Sequence, residues 1–451
     1  MRFQTSPEQG SLDRFGSSCQ NQHWKLKEKP RFDGAVVQRT ILSSEWIPLM
    51  KVFFSAGEPS GDQHASHLIH ELRARCPDFV AEGFGGPHMR EAGCELQFEL
   101  TELAVMGFLR VIPLLAKFRR LVKQAEAHFA ANPPDAVVLV DFPGFNWWIA
   151  RAAKKRGIPV YYYLPPQLWG WAPWRIKRVR KWVDHVICAL PFEYDWYKSR
   201  GVQATYVGHP FFDEVAERTL NPETMRQLSS DKLTRCTVAV LPGSRNHEIE
   251  KNWPVMLEII KRVSRNVPTV RWIVGNYHPQ QLARCREMQI AANVSAPLEY
   301  LINSTSEVIE SGDCCLMVSG SISLELLARQ TPGIVLYRVP TIGRFVSRFL
   351  MNCRFITLPN LIADQEVMPE FISNGDPEPD ICRITSLLTE WVSNPEVIAA
   401  QKETLSRLAG YATTTGATER TAELILRLIN SDSATTDADL RMIIPFRKDA
   451  A

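Results

Sequence analysis

Short apolar segments alternate with longer amphipathic segments from Lys51 onward. In the first half of the chain, runs of β-branched and aromatic residues predict six strands: Val52–Ser55, Val80–Phe84, Ala136–Val140, Val160–Tyr163, Val186–Ala189 and Thr205–Gly208. Between them, apolar residues recur at helical spacing from Leu115 to Phe129, and Gly157 follows a helix predicted over 146–156. This alternation predicts an α/β fold, in which helices cover a parallel sheet.

The same pattern begins again after the polar stretch 221–235. Four more strands are predicted at Thr237–Leu241, Val270–Val274, Cys314–Val318 and Ile334–Tyr337, again with helices between them. Two successive doubly wound, Rossmann-like domains are therefore expected, with a hinge near 209–236. In such sheets ligands bind at the carboxyl ends of the strands, so the active site should lie in a cleft between the domains.

The elements divide the chain into five expected segments. Residues 1–49 are rich in Gln, Ser, Lys and Arg and lack the apolar core of a secretory signal, so a disordered extension is expected. The first Rossmann-like domain is expected over 50–212 and the second over 213–392. Helices over 393–430 are expected to pack back toward the first domain, and 431–451 to form a disordered tail.

Composition narrows the class of protein. A chain of 451 residues with 45% hydrophobic residues can form two or three domains with substantial cores. Its formal net charge of +3 does not indicate a nucleic-acid partner. The ten cysteines include no CxxC pair, which indicates a reducing cytoplasm. The apolar runs are far shorter than the roughly 20 residues that a membrane-spanning helix requires.

Two loops of the first domain carry candidate catalytic groups. Residues 55–62 follow a strand and open a helix in which Asp62 is a candidate N-cap, so backbone N–H groups near Ser60 could face an anion or a sugar hydroxyl. Glu58 places a carboxylate there, although an ordinary strand-to-helix turn is the alternative. Asp141 directly follows an apolar strand, a position that suits a general base. Its alternative role is to cap the next turn.

The second domain carries two turns that suit a phosphate group. Gly243-Ser244-Arg245 follows one strand, and an arginine beside a glycine-serine turn can hold a diphosphate. Ser319-Gly320-Ser321 follows the next buried strand and opens a helix that carries Glu325. A single turn of this kind is usually only a turn, but a pair that faces a cleft suggests a nucleotide diphosphate.

Other residues suggest a lipid ligand or a metal. The apolar segment 105–115, which includes Met106, Gly107 and Leu115, is followed by Arg119 and Arg120. It is either a core helix or a site for an acyl chain beside an anionic headgroup. A second cluster over 169–178 mixes tryptophans with cations. His64, His67 and His70 spread around their helix without a matching partner, so no metal is expected.

These segments together resemble lipid-A-disaccharide synthases, which are glycosyltransferases of the GT-B type. The resemblance covers about 51–430 and is carried by these motifs: Ala56–Asp62, Glu102–Gly107, Asp141 with Phe145-Asn146, Trp169–Trp171, Leu190–Glu193, Gly208–Pro210, Leu241–Arg245 with Glu248-Ile249, Ser319-Gly320 with Leu324-Glu325, and Leu358–Leu361. It implies transfer of 2,3-diacylglucosamine from its UDP-activated form to the 6-hydroxyl of 2,3-diacylglucosamine 1-phosphate. The products would be a β-1,6 disaccharide 1-phosphate and UDP, with inversion at the anomeric carbon.

The resemblance also implies roles for particular residues. Asp141 would be the base, with Glu58 and Ser60 in the cleft. On the donor side, Arg245 would balance the departing UDP and Glu325 would hold the ribose, among the binding residues Gly243, Ser244, Arg245, Ser319, Gly320, Ser321, Glu325 and Asn360. On the acceptor side it implies Met106, Gly107, Leu115, Arg119, Arg120 and Asn146. No cofactor is implied.

Several points stay open on the sequence. Gly144 and Pro165 depart from the family pattern, so no roles follow for those positions. Family members can exchange C-terminal segments between protomers, which leaves a homodimer as an alternative to a monomer. Amphiphilic sugars imply a peripheral location at the cytoplasmic face of the inner membrane. The alternatives are an isomerase like UDP-N-acetylglucosamine 2-epimerase, a GT-B transferase with a soluble acceptor, or a nucleotide-binding module without activity.

Overall fold

The computed structural model describes residues 50–104, 111–229, 235–338, 353–373 and 375–430. The predicted extension 1–49 and tail 431–451 lie outside them. The strands of the first sheet are all parallel and lie in the order β3-β2-β1-β4-β5-β6-β7. They are β1 (Lys51–Ala56), β2 (Val80–Gly85), β3 (Glu95–Glu99), β4 (Ala136–Val140), β5 (Val160–Tyr163), β6 (His185–Cys188) and β7 (Ala204–Tyr206).

The second sheet repeats this topology. Its strands are also parallel and lie in the order β10-β9-β8-β11-β12-β13. They are β8 (Thr237–Leu241), β9 (Arg271–Asn276), β10 (Leu298–Ile302), β11 (Cys314–Met317), β12 (Gly333–Arg338) and β13 (Glu370–Ser373). Because each sheet reverses its strand order beside its first strand, each has a switch point where a ligand can bind. The predicted fold class is confirmed.

Helices connect the strands and cover both sheets. Before the second sheet they are α1 (Pro59–Arg75), α2 (Pro87–Glu91), α3 (Thr101–Ala104), α4 (Val111–Ala131), α5 (Pro143–Lys154), α6 (Leu168–Trp171), α7 (Ile176–Trp182), α8 (Pro191–Lys198), α9 (Pro210–Glu217) and α10 (Pro222–Ser229). The others are α11 (Asn246–Asn266), α12 (Pro279–Ala291), α13 (Thr305–Ser311), α14 (Ile322–Ala328), α15 (Leu358–Ala363), α16 (Glu378–Ser393), α17 (Pro395–Ala412) and α18 (Ala417–Asn430). Within the described ranges, no helix is both long and apolar enough to cross a membrane.

Each sheet lies between two helical layers, because successive residues of a strand face opposite sides. On one side of the first sheet, Val137 and Leu139 pack with α4, α5 and α7. On the other side, Val138 and Val140 pack with α1, α2 and the C-terminal helix α18. The second sheet is covered by α11, α12 and α16 on one side and by α13, α14, α15 and α17 on the other.

The two sheets meet through loops at the carboxyl edge of the first. Trp169, Leu190 and Phe192 follow β5 and β6, and they pack into the apolar cluster that also contains Leu324 of α14 and Leu358 of α15. Helix α9 contacts α14 and α18 as well. The carboxyl edge of the first sheet is therefore in contact with the helices beside the switch point of the second.

The structure corrects two local predictions. Asp62 is not a helix N-cap, because α1 begins at Pro59 and Glu58 occupies the cap position. The Asp62 carboxylate is buried and accepts hydrogen bonds from the backbone nitrogens of Gly86, His88 and Met89, so it holds the start of α2. The helix after β4 begins at Pro143 rather than near 146.

Candidate active site

Asp141 and Glu58 lie at the switch point of the first sheet. Strands β1 and β4 are paired; Asp141 follows β4 directly, and Glu58 lies two residues after the end of β1. Burial, and after it the nearby Glu58 carboxylate, raise the pKa of Asp141 to about 6, although a backbone hydrogen bond from Phe142 and the nearby His64 act in the opposite direction. A carboxyl with this pKa is mostly ionised at neutral pH yet basic enough to accept a proton, which is what a general base requires.

The backbone that carries Asp141 has an uncommon conformation. Asp141 and Phe142 have φ angles of 44° and 45°, the left-handed region that residues with a Cβ rarely occupy. The Phe142 ring lies so close to Gly57 that a Cβ at Gly57 would overlap it. A glycine is therefore required at position 57, because the Phe142 ring of the adjacent turn occupies the space of a Cβ.

Asn146 lies behind this turn and not in open space. Its side chain is completely buried. The amide oxygen accepts a hydrogen bond from Ser55 Oγ at 2.7 Å, and the amide nitrogen donates to the carbonyl oxygens of Ser55 and Asp141 at 3.1 and 2.8 Å. Asn146 thus joins the ends of β1 and β4, and its polar atoms are occupied within the protein.

Ser60 and the histidines of α1 differ in their surroundings. Ser60 is exposed in the first turn of α1, where its hydroxyl is accessible to a ligand. His64 Nδ1 lies 2.8 Å from Glu214 Oε1 of α9, and His67 Nδ1 lies 3.7 Å from the same oxygen. In the described part of the chain, no group of three or more His, Cys, Asp or Glu side chains is arranged to hold a metal ion.

The turn at 243–245 follows β8 at the second switch point. Gly243 has a φ of 121°, and the buried Glu248 carboxylate accepts hydrogen bonds from the backbone nitrogens of Ser244 and Arg245 at 3.0 and 3.1 Å. These two backbone donors are therefore engaged by the protein itself. The Arg245 guanidinium is 69% exposed and has only a 3.3 Å contact with Glu248, so it is the accessible cationic group of this turn.

The turn at 319–321 lies beside it, because β8 and β11 are paired. Gly320 and Ser321 are exposed, and a Cβ at Gly320 would meet no neighbouring atom, so a ligand can approach the backbone closely there. Glu325 is buried one turn into α14 and accepts a hydrogen bond from Arg329 Nε at 2.9 Å. The structure thus brings the two predicted donor turns together.

Asn360 is completely buried at the start of α15. Its amide oxygen accepts hydrogen bonds from the backbone nitrogens of Val367 and Met368, and its amide nitrogen donates to the Met368 carbonyl and to Glu370, all at 2.7 to 2.8 Å. All of its hydrogen-bonding capacity is therefore used to organise the segment 356–370.

The predicted acceptor residues form a partly exposed set. Met106 and Gly107 lie outside the described residues. Leu115 is 53% exposed, and Arg119 and Arg120 are exposed on the same helix, α4. The next helices on this side of the sheet add exposed tryptophans, which are Trp148 of α5 and the pair Trp171 and Trp174 before α7.

Two groups near the site were absent from the sequence-based assignment. Glu193 is buried, and burial raises its pKa to about 7. It accepts hydrogen bonds from Trp169 Nε1 at 3.0 Å and from the Leu190 backbone nitrogen. The Tyr162 hydroxyl donates to the Asp141 carbonyl oxygen at 2.8 Å. The Leu190–Glu193 motif ends in a carboxylate and could have pointed to Glu193. Nothing in the sequence of strand β5 distinguishes Tyr162 from its neighbours.

The two doubly wound sheets, in contact at the carboxyl edge of the first, define a GT-B architecture. Solved structures share this fold. A putative UDP-N-acetylglucosamine 2-epimerase from Listeria monocytogenes matches with a TM-score of 0.59 at 10% identity, over 85% of this chain and 98% of that one. The UDP-GlcNAc 2-epimerase of Neisseria meningitidis, bound to UDP-GlcNAc, matches with a TM-score of 0.55 at 12% identity, over 84% and 98%.

Sequence relatives define the family. A family model described as lipid-A-disaccharide synthetase matches residues 52–408. The chain is also 35% identical over 386 residues to the lipid-A-disaccharide synthase of Myxococcus xanthus (strain DK1622), across 84% of this chain and 97% of that protein. The chain belongs to the lipid-A-disaccharide synthetase family and is a glycosyltransferase. The epimerase alternative is not favoured, because at 10–12% identity those structures share only the fold.

Proposed function

We propose that this enzyme transfers 2,3-diacylglucosamine from UDP-2,3-diacylglucosamine to 2,3-diacylglucosamine 1-phosphate. The products are the β-1,6-linked lipid A disaccharide 1-phosphate and UDP. Membership of the family supports the reaction class. The observation that carries the proposal for this chain is the Asp141 carboxyl, which follows β4 at the switch point and has a pKa raised to about 6.

In the proposed reaction Asp141 acts as the general base. Its carboxylate takes the proton from the 6-hydroxyl of the acceptor as that oxygen attacks the anomeric carbon of the donor. The bond between the anomeric carbon and the diphosphate oxygen breaks, and UDP leaves from the opposite face, which inverts the configuration. Glu58 and Ser60, in the loop after β1, contact the reacting sugars beside Asp141.

The second sheet holds the donor in this proposal. The exposed guanidinium of Arg245 and the backbone at Gly320 and Ser321 face the diphosphate, where positive charge and N–H donors stabilise the leaving group. Gly243 and Ser244 shape the first turn, and Ser319 shapes the second. Glu325 is proposed to hold the ribose. Asn360 contributes by fixing the segment 356–370, because its own polar atoms are engaged.

The direct test is incubation with both lipid substrates in EDTA, followed by mass spectrometry of the products. We expect a disaccharide 1-phosphate and UDP in equal amounts, and loss of several orders of magnitude in kcat for Asp141→Asn with UDP binding retained. Asp135→Asn is the matched control, since Asp135 lies at the other end of β4 and accepts a hydrogen bond from the Lys51 backbone. An epimerised UDP-sugar without disaccharide would instead identify an isomerase.

We also propose that the helical layer of α4, α5 and α7 contacts the membrane and the acyl chains. Leu115, Trp148 and Trp174 are 53–57% exposed, and all three lie in or before the helices of this layer. Helix α7 adds exposed cations at Lys177 and Arg178, while residues 164–183 contain no acidic side chain. Tryptophan beside lysine and arginine is typical of protein surfaces that bind anionic bilayers.

This surface predicts binding to anionic vesicles. We expect Trp174→Ser together with Lys177→Glu to reduce co-sedimentation with phosphatidylglycerol vesicles at least about tenfold, because both apolar and electrostatic contacts are lost. Ile290→Ser is the control, since Ile290 is 76% exposed on α12 of the second sheet. Equal losses in both variants would contradict the assignment. The proposed location is the cytoplasmic face of the inner membrane.

The oligomeric state is open between a monomer and a homodimer. Light scattering distinguishes the two by measuring the molar mass in solution.

A further inference from the structure

The turn that carries Asp141 needs a restraint. Asp141 and Phe142 are consecutive residues with positive φ, and neither is a glycine. Single residues with a Cβ visit this region at an energetic cost, so two in succession persist only where surrounding contacts fix them.

Two buried side chains hold the carbonyl group between these residues. The Asp141 carbonyl oxygen accepts one hydrogen bond from Asn146 Nδ2 and one from the Tyr162 hydroxyl, both at 2.8 Å. Tyr162 and Asn146 are completely buried, so water does not compete for either bond. A carbonyl with two donors has its full hydrogen-bonding capacity satisfied, and its orientation sets the direction of the peptide that follows Asp141.

Both donors are themselves fixed by the sheet. Tyr162 lies on β5 opposite Leu139 of β4, and its ring packs edge-on against Trp147 with centroids 5.6 Å apart. Asn146 is anchored to the end of β1 through Ser55. The two hydrogen bonds therefore connect the turn, which follows β4, to the neighbouring strands β5 and β1.

We infer that Tyr162 is a positioning residue for the base: its hydroxyl and the Asn146 amide together hold the Asp141–Phe142 turn in the left-handed conformation that keeps the Asp141 carboxyl at the switch point. The inference rests on the proposed function, since it assumes that Asp141 is the base. It assigns Asn146 to the support of Asp141 and not to a contact with the acceptor. Tyr162 lies outside the recognised family motifs of this sequence.

Tyr162→Phe tests the role, because it removes the hydroxyl and keeps the ring. The matched control is Tyr161→Phe, since Tyr161 is the preceding residue of β5 and is buried on the opposite face of the sheet. The first measurement is hydrogen–deuterium exchange of the peptide spanning 141–147. We expect faster exchange in Tyr162→Phe and wild-type exchange in Tyr161→Phe.

The second measurement is steady-state kinetics, with kcat and KM at pH 7.5 and the pH profile of kcat/KM. We expect Tyr162→Phe to lower kcat at least about tenfold, with little change in KM for the UDP-sugar, because chemistry depends on the base and donor binding does not. The acid limb of the Tyr162→Phe profile should move to lower pH as the Asp141 carboxyl becomes more hydrated. The titratable groups that interact with this carboxyl are Glu58, His64 and the buried Glu193.

The outcomes separate this inference from the proposed function. Unchanged exchange in Tyr162→Phe, or an unchanged kcat and acid limb in an active enzyme, overturns the positioning role. Equal effects in Tyr161→Phe also overturn it, because a general loss of packing would then explain them. If exchange rises in Tyr162→Phe alone but the wild-type enzyme forms no disaccharide, the restraint stands and the proposed function fails.

Discussion

Acid inactivation of this enzyme should follow the ionisation of Asp141. With a pKa of about 6, the carboxyl is roughly 90% ionised at pH 7 and roughly 10% ionised at pH 5. An aspartate at the usual pKa of 3.8 would remain more than about 90% ionised at pH 5. Because the pKa of the free enzyme governs kcat/KM, we expect kcat/KM at pH 5 to be about a tenth of its plateau value.

The Glu58→Gln variant tests the cause of the raised pKa. Burial is the larger cause, and the neighbouring Glu58 carboxylate is the second. Removal of that negative charge makes ionised Asp141 less unfavourable, so the midpoint of the acid limb should move to lower pH. Glu58 lies in the proposed cleft, so the midpoint is the informative quantity and the absolute rate is not. Glu91→Gln, on the exposed side of α2, should leave the midpoint unchanged.

The assay is the initial rate of UDP release from about pH 4.5 to 8, with both substrates well below their KM values so that the rate reports kcat/KM. Each sample held at pH 5 is returned to pH 7.5, and recovery of the rate shows that the protein has not unfolded. A wild-type midpoint near pH 4 would refute a raised pKa for the base. An identical midpoint in wild type and Glu58→Gln would refute the coupling of the two carboxyls.

The raised pKa of Asp141 also affects the free energy of unfolding. This free energy falls as pH rises, whereas a carboxylate in a salt bridge makes it rise. Because the folded pKa of Asp141 exceeds the unfolded value, the folded state binds more protons between about pH 4 and 6, and stability falls as pH rises through this window. Asp141→Asn removes the penalty. We expect it to be more stable than wild type at pH 8 by at most about 3 kcal/mol, and equally stable below pH 4.

Two further predictions concern the loops on either side of the cleft. Gly57→Ala should lower kcat at least about tenfold in steady-state assays, because its methyl would overlap the Phe142 ring and displace the turn that carries Asp141. Gly61→Ala should keep the wild-type kcat, because the nearest neighbour of its methyl would lie at 3.6 Å. A wild-type rate in Gly57→Ala would contradict the packing argument. Arg245→Ala should weaken UDP binding about 10- to 100-fold by calorimetry, since the proposed charged contact to the diphosphate is lost. Lys251→Ala, exposed on α11 directly after this turn, should bind UDP normally.

The central strands were predictable from sequence, and of the four strands at the sheet edges only β7 was. Strand β4 is a continuous run of buried β-branched and aliphatic residues, the pattern of a parallel strand covered on both faces. The strands missed in prediction were β3, β10 and β13. Each lies at the edge of its sheet, and β3 and β10 contain no fully buried residue. Such strands lack the apolar run that identifies the central ones.

Some features of the candidate site could likewise be predicted from sequence, and others could not. Asp141 was identifiable because a carboxylate directly after a buried strand is a local pattern. Its positive φ was not, since Asp-Phe-Pro carries no glycine to indicate a left-handed turn. The saturated hydrogen bonds of Asn146 and Asn360 were also hidden from sequence, because their partners come from other strands and loops. Sequence indicated where polar residues gather, and tertiary contacts decide which of them face a ligand.

The position of α18 has a consequence for synthesis of the protein on the ribosome. This last described helix packs on α1 and completes the apolar layer over Val138 and Val140, and Asp213 of α9 accepts hydrogen bonds from the backbone nitrogens at its start. About 210 residues separate β7 from α18, which at 5–20 residues per second corresponds to about 10–40 s of translation. During that time the first sheet is complete and α1 and α2 cover part of this face, but the part that α18 covers remains exposed to water. The nascent chain therefore exposes apolar surface on that face until α18 has left the ribosome.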